Sequence, residues 1–438
     1  MSINKSPAYN LKAVLKETGI SADTLRAWER RYGLPLPQRT AGGHRLYSEY
    51  DIQTIKWLMS RQGEGLSISR AVDMWNEHNA SGLDPLTDSA TRASAAASAG
   101  YRIPETSLDA LRGQWLAACL EYDETEAEEV LNQSFAMYPV EKVCTDVLQR
   151  GMSEMGEFWY ENRASVQQEH FASALAMRRL DTLLSASPKP TRDQTVLLGC
   201  PSSEWHTFTP LLLALLLRRR GLGVIYLGAN VPTERFAETV SAVQAGLVIL
   251  VAQTLISAAA LCNTAHSLAG LNAPVGFGGR IFNQHPSIVD YVPGHHLGGR
   301  VEDALDQIDL LLKGSRPQVQ ARAITEEYRR ALDSFNAHRL HIESSIKEMA
   351  QLLPVSAEGL NTGIHFLGDN IAAALQLGDM AHVTAELDWL KTLMKSHQRP
   401  ASELAEFMQN YSRAVDKHIN GAGAPIKAWL QAQAQLSV

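Results

Sequence analysis

Apolar residues recur every three or four positions through "LDALRGQWLAACL" and "HFASALAMRRLDTLL", the spacing that lines one stripe of a helix. Residues 106–188 are therefore expected to form a small helical bundle. The texture then changes. Over 189–318 the short apolar runs "TVLLG", "GVIYLG", "LVILVA" and "PVGFGG" alternate with helix-length segments, the pattern of a parallel sheet in a doubly wound, Rossmann-like α/β domain. A helical period returns over 319–438, broken at Pro354, Gly359, Pro400 and "NGAGAP". Ahead of the bundle, residues 79–105 are rich in Ser, Ala, Gly and Pro without a sustained apolar period, and read as a flexible linker. The expected molecule is a multidomain α and α/β protein with no internal repeat.

The first 78 residues have their own grammar. "LKAVLKETGISADTLRAWERRYG" holds a helix, a turn at Gly19, an N-cap at Ser21 and a second helix ending at Gly33, which is a helix-turn-helix. Charge sharpens this: the 438-residue chain carries a net −7, yet residues 1–77 hold eleven Lys or Arg against eight Asp or Glu, a local balance of +3. Such an asymmetry points to a nucleic-acid module joined to something else. On the second helix Thr24, Arg26, Trp28 and Arg31 are expected to face a duplex. After it "RTAGGHRLYS" reads as a hairpin wing in which Gly42 and Gly43 turn the chain and Arg39, His44 and Arg45 reach the DNA backbone, with Tyr47 at the end of the wing also expected to meet DNA. These residues closely resemble the MerR family of winged-helix transcription regulators, through the L-R-x-W/Y-E-R-R-x-G-L run and the G-x-R-L-Y wing. The resemblance implies double-stranded operator DNA as partner. "LSISRAVDMWNEHNA" supplies only a short helix before the linker, so dimerisation is expected from the later domains.

No run of 18 apolar residues occurs, "LLLALLL" stops at Arg218, and "MSINKSPAYN" lacks an apolar core, so a cytoplasmic protein without a membrane partner is expected. Cys119, Cys144, Cys200 and Cys262 are scattered, with no CxxC pair, which disfavours a zinc site or metal sensing.

In the α/β segment His206 follows the first strand, at the end of the sheet where such folds bind ligands, and Glu204 is placed to orient its ring. With "YLGANVP", "AQTL" and "VGFGGR", the segment resembles cobalamin-binding domains, whose pattern is D/E-x-H-x-x-G, S-x-L and G-G. The resemblance implies His206 as the lower axial ligand to cobalt, the metal ligand of the chain, with Glu204, Thr209, Gln253, Leu255, Gly278 and Gly279 around the cofactor. In the helical bundle, Trp159 with Glu169 and His170 resembles the cap of light-sensing, adenosylcobalamin-dependent MerR repressors of the CarH and LitR type. One unbroken helix would separate Trp159 from His170 by about 16 Å, so "ENRASVQQ" is expected to turn the chain, Ser165 and Gln168 forming a capping box.

Three positions depart from the pattern. Tyr160 stands where the light sensors have a histidine, Thr209 replaces a glycine, and Gln253 replaces a serine. Bulk at Thr209 and Gln253 narrows the slot for the cofactor's nucleotide tail, so haem on His206, or no ligand at all, stands beside cobalamin. The C-terminal helices, with His338 and His341 three apart, read as an added oligomerisation or protein-partner domain. The expected function is a ligand- or light-gated transcription repressor whose homo-oligomeric state, dimer or tetramer, sets its hold on DNA. The rival is a cobalamin enzyme, a mutase or methyltransferase, against which the helix-turn-helix and the lack of a substrate barrel both speak.

Overall fold

The computed structural model describes residues 4–39, 43, 45–63, 68–80, 86, 107–271, 273–314, 319–349, 357–396, 401–419 and 421–436. They divide into two compact units, Met1–Thr106 and Ser107–Val438. His44, Gly42 and nearly all of the expected linker lie outside the described residues.

In the first unit, β1 (Pro7–Asn10) leads into α1 (Leu11–Thr18) and α2 (Ala22–Tyr32), followed by strands β2 (Gln38–Arg39) and β3 (Arg45–Ser48) and helices α3 (Glu49–Gly63) and α4 (Ile68–Ala80). Helix ends follow the sequence signals. Gly19 (φ 74°) and Gly33 (φ 66°) take the left-handed conformation that closes α1 and α2, and Ser21 Oγ accepts the Thr24 N–H at 3.1 Å. The three strands form an antiparallel sheet in the order β1-β3-β2, the wing. Val14, Leu25, Trp28, Tyr47, Ile55 and Leu58 make its core.

The second unit opens with α5 (Leu108–Leu120) and α6 (Glu124–Met137). A π-helical stretch, Val143–Gln149, then runs into α7 (Arg150–Tyr160), and α8 (Val166–Ser185) completes the bundle. The α/β segment runs β4 (Thr195–Gly199), α9 (Phe208–Arg219), β5 (Gly223–Tyr226), α10 (Thr233–Ala242), β6 (Leu247–Val251), α11 (Leu255–Leu268), β7 (Val275–Gly278), α12 (Arg280–Gln284), β8 (His295–His296) and α13 (Val301–Leu312). All five strands are parallel, in the order β5-β4-β6-β7-β8. The C-terminal segment is α14 (Glu326–Met349), α15 (Ala357–Gln376), α16 (His382–Ser396), α17 (Ala401–His418) and α18 (Ala424–Leu436).

Strand alternation sorts these layers. Val196 and Leu198 of β4 and Leu247, Ile249 and Val251 of β6 join one core with α9, α13 and the bundle, whereas Leu197, Val248 and Leu250 join another with α10, α11 and the C-terminal helices. Helix α9 is apolar all round and buried from Pro210 to Leu217, because it lies between the sheet and the bundle. The C-terminal helices, read from sequence as an oligomerisation or partner domain, cover the opposite face. There Gln376 Nε2 donates to Ala259 O at 2.8 Å and Asn263 Oδ1 at 2.7 Å on α11.

Candidate functional site

Within the first unit, α2 turns one stripe inward and one outward. Arg26, Arg30 and Arg31 are exposed, as is Thr24, whose hydroxyl lies 2.7 Å from the Ser21 hydroxyl at the cap. Trp28 and Tyr47 are a correction to the sequence reading. Only 5% and 0% of them are exposed, because position 28 lies one turn from Leu25 on the helix face that meets α1 and α3, and Tyr47 points from β3 into the same core. Glu29, which the sequence reading passed over, links helix and wing: its Oε1 accepts from the Tyr47 hydroxyl at 2.5 Å and its Oε2 from Arg45 Nε at 2.8 Å. Burial foremost, then Glu29, holds the Tyr47 phenol well above its usual range. Arg45 is thus half-buried and partly committed to Glu29, while Arg39 is exposed and donates to Gly43 O at 3.3 Å. Arg30, also passed over, stands four residues after Arg26, a spacing that puts both on one exposed face.

In the second unit the loop after β4 is fixed from several sides. Ser203 N–H donates to Asn230 Oδ1 at 2.9 Å, Asn230 N–H donates to Glu204 O at 2.9 Å, and both Ser203 (φ 67°) and Asn230 (φ 50°) sit in the left-handed region. That conformation drives the Glu204 side chain inward, to 0% exposure. Its Oε1 accepts from His206 Nδ1 at 2.7 Å and the His206 N–H at 2.8 Å; its Oε2 accepts from the Gln253 N–H at 2.5 Å and Ser257 Oγ at 2.7 Å. Burial would push this carboxyl up, but the four donors hold it below the usual range. The hydrogen bond to Glu204 in turn raises His206, against the effect of burial.

The result is a directed imidazole. Nδ1 is tied to an anion, and 66% of the side chain is exposed, which leaves Nε2 as the atom offered to a ligand. Ser257, absent from the sequence reading, was signalled by "TLIS": it forms a capping box with Thr254 at the start of α11, and this brings its hydroxyl onto Glu204. Thr209 lies half-buried in the first turn of α9. Leu255 is wholly buried in the core beneath the loop.

Gln253 and the two glycines define the far side. The Gln253 amide oxygen accepts the Arg280 N–H at 2.9 Å, and nothing lies within 4 Å of where a Gly278 side chain would stand. The amide is therefore drawn toward α12 and leaves the space at Gly278 open. Gly279 (φ 130°) is required by the backbone, since a Cβ there would meet Ala252 O at 1.9 Å.

The bundle contributes its own residues. The expected turn is present: Arg163 and Ala164 N–H both donate to Phe158 O, and Ser165 and Gln168 form the capping box of α8. Trp159 is half-buried and Tyr160 38% exposed, and His170 is exposed with Nδ1 2.6 Å from Glu169 Oε2. Glu169 lies near enough to His206 for its charge to favour the protonated ring.

The donor set fits a corrinoid: an imidazole with a free Nε2, a buried anion behind it, and an open cradle at Gly278. Comparison with known proteins agrees. The model of the MerR HTH family regulatory protein matches residues 9–77, and that of the B12 binding domain matches residues 111–184. The HTH-type transcriptional repressor CarH of Myxococcus xanthus is 30% identical over 294 residues, 66% of this chain and 95% of that protein. CarA of the same organism is 32% identical over 51% of this chain and 68% of its own length. A monomethylamine corrinoid protein of Methanosarcina barkeri superposes with a TM-score of 0.39 at 18% identity, covering 46% of this chain and 97% of its own, a likeness too distant to carry an argument.

The two glycines should separate fold from binding. Gly279→Ala is expected to cost more than about 3 kcal/mol in chemical denaturation. Gly278→Ala should leave stability within about 1 kcal/mol while weakening uptake of cobalamin in a spectroscopic titration, because its methyl enters the open cradle.

Proposed function

This chain belongs to the family of MerR-type transcriptional repressors that carry a B12-binding domain, and we propose that it binds adenosylcobalamin through His206 and releases operator DNA on illumination. The observation that supports the reading best is His206, oriented by buried Glu204 and approached from the bundle by Glu169. The chemistry such a cofactor supplies when bound is a cobalt–carbon bond that light can break.

The chain's own residues do the rest. Glu204 accepts the Nδ1–H of His206, which would leave the Nε2 lone pair available to hold the cofactor. Trp159, Glu169 and His170 would hold the ligand from the bundle side, so that the bundle would be tied to the α/β domain through it as well as through its own core. Arg26, Arg30, Arg31 and Arg39 supply phosphate or base contacts to DNA. Homo-oligomerisation multiplies the number of such units on one operator, and a change in assembly then changes affinity by effective concentration. The chain acts as a regulator and not an enzyme, in line with relatives that are transcriptional repressors. Among the described residues no helix is long and apolar enough to cross a membrane.

His206→Ala should abolish or shift the absorbance bands of the cobalamin-loaded protein while its circular dichroism stays that of the parent. An unchanged spectrum would remove His206 from the site, and bands appearing only with haem would replace the ligand.

Arg31→Ala should weaken operator binding by about tenfold and lower the slope of log affinity against log salt by about one. Trp28→Phe, a core change, should leave that slope untouched; gel shifts at three salt concentrations read both.

A light response is limited by Tyr160, because a phenol must lose a proton before it ligates strongly and an imidazole need not. In the dark and after illumination, size-exclusion chromatography of the adenosylcobalamin-loaded parent should show a change in assembly. Tyr160→His should make the illuminated form persist longer. A loaded parent that neither changes size nor loses DNA under light would reject photosensing.

A further inference from the structure

Short helix α12 has one end at the ligand loop and the other on the C-terminal helices. At its start the Arg280 N–H is bonded to Gln253, whose own N–H is bonded to Glu204. Just past its end, His285 meets His382, the first residue of α16, edge to face with ring centroids 4.8 Å apart and planes at 66°. His382 is 3% exposed, and the Nε2 atoms of both rings are buried with no hydrogen-bond partner. Two orphaned imidazole nitrogens at one seam are unusual, since buried polar atoms are almost always satisfied. A metal does not explain them: among the described residues no group of three histidine, cysteine or carboxylate side chains is placed to hold one.

We propose that His285 and His382 form a proton-operated latch that keeps the C-terminal helices on α12 while both rings are neutral and releases them when the rings are charged. The seam leaves little room for a cation. Tyr291 stands against Gly378 so closely that a Cβ there would come within 2.8 Å of the ring. Asp379, in the turn before α16, is the charged group that acts on both histidines; Glu386, one turn further along α16, faces Arg280 instead. Burial lowers both imidazoles, a charge on His285 further disfavours one on His382, and Asp379 opposes this without reversing it. The sign follows. A histidine lowered in the docked form takes up its proton more readily once undocked, so docking is complete above the ordinary value of about 6.5 and weakens as pH falls below it. One unit below that value, each histidine shifts the equilibrium toward the released form by at most about tenfold, and the two together by about a hundredfold.

Hydrogen–deuterium exchange on the full-length protein at pH 7.5 and 5.5, corrected for intrinsic exchange, tests the latch. Residues 382–396 and 280–284 should exchange up to about a hundredfold faster at pH 5.5. His285→Phe and His382→Phe should each reduce that step to about tenfold, and the double variant should abolish it. His418→Gln, elsewhere in the C-terminal helices, should leave it intact. NMR titration of the parent's imidazole signals serves if the Phe variants fail to fold: two rings should titrate below 6.5, together with the loss of protection. A parent whose protection is the same at both pH values, or a folded double variant that keeps the full step, would overturn the proposal, as would two seam rings that titrate without any loss of protection.

Discussion

A carboxylate removed wholly from water costs several kcal/mol unless donors replace the lost hydration. Glu204 is in that position, and it takes its four donors from three places: the backbone and ring of His206 in its own loop, the backbone after β6, and the hydroxyl in the first turn of α11. The conformation the loop adopts satisfies all of them together. The left-handed Ser203 and Asn230 are tolerated because this arrangement outweighs their strain, roughly 1–3 kcal/mol each. The direction of the His206 ring is therefore a consequence of how β4, β6 and α11 pack, and a shift in any of the three is felt at Nε2.

The same loop runs straight into α9, whose first residue, Phe208, is two beyond His206. Because α9 is apolar on every side, it needs the sheet on one side and the bundle on the other; removing the bundle would expose Leu211 to Leu217 on that side. The bundle is thus a required layer of the α/β fold and not an appendage. The C-terminal helices are in the same position on the other face, where they share a core with α10 and α11.

Much of this was legible in the sequence. Helix caps at Ser21, Gly33 and Ser165, the turn between Trp159 and Glu169, and the parallel strands follow from local chemistry and period, and each appears where the residues predict. Ser257 and Glu29 were missed because their roles depend on partners 53 and 18 residues away; "TLIS" signals the capping box of Ser257 but not its bond to Glu204. Gln253 stood out in the sequence for its size alone; the hydrogen bond its amide oxygen accepts from the Arg280 N–H, 27 residues on, is equally non-local. The seam of the C-terminal helices was illegible for a related reason: their period is the same whether the buried stripe meets a partner chain or the domain before it.

Trp28 and Tyr47 carry the last point. An arginine-rich helix invites the reading that its aromatic residue also meets DNA, yet α2 spends Leu25, Trp28 and Tyr32 on its inward stripe, at i, i+3 and i+7, and leaves Arg26, Arg30 and Arg31 outside. Glu29 stands at the edge of the two stripes. One carboxylate receives Tyr47 from the core side and Arg45 from the wing, and so ties α2 to the wing beside the core they share. An acidic residue among exposed arginines weakens attraction to phosphate, and the tie it makes between helix and wing is what it contributes in exchange. Specific binding needs the helix cations and the wing at a constant separation along the duplex, which charge alone does not provide.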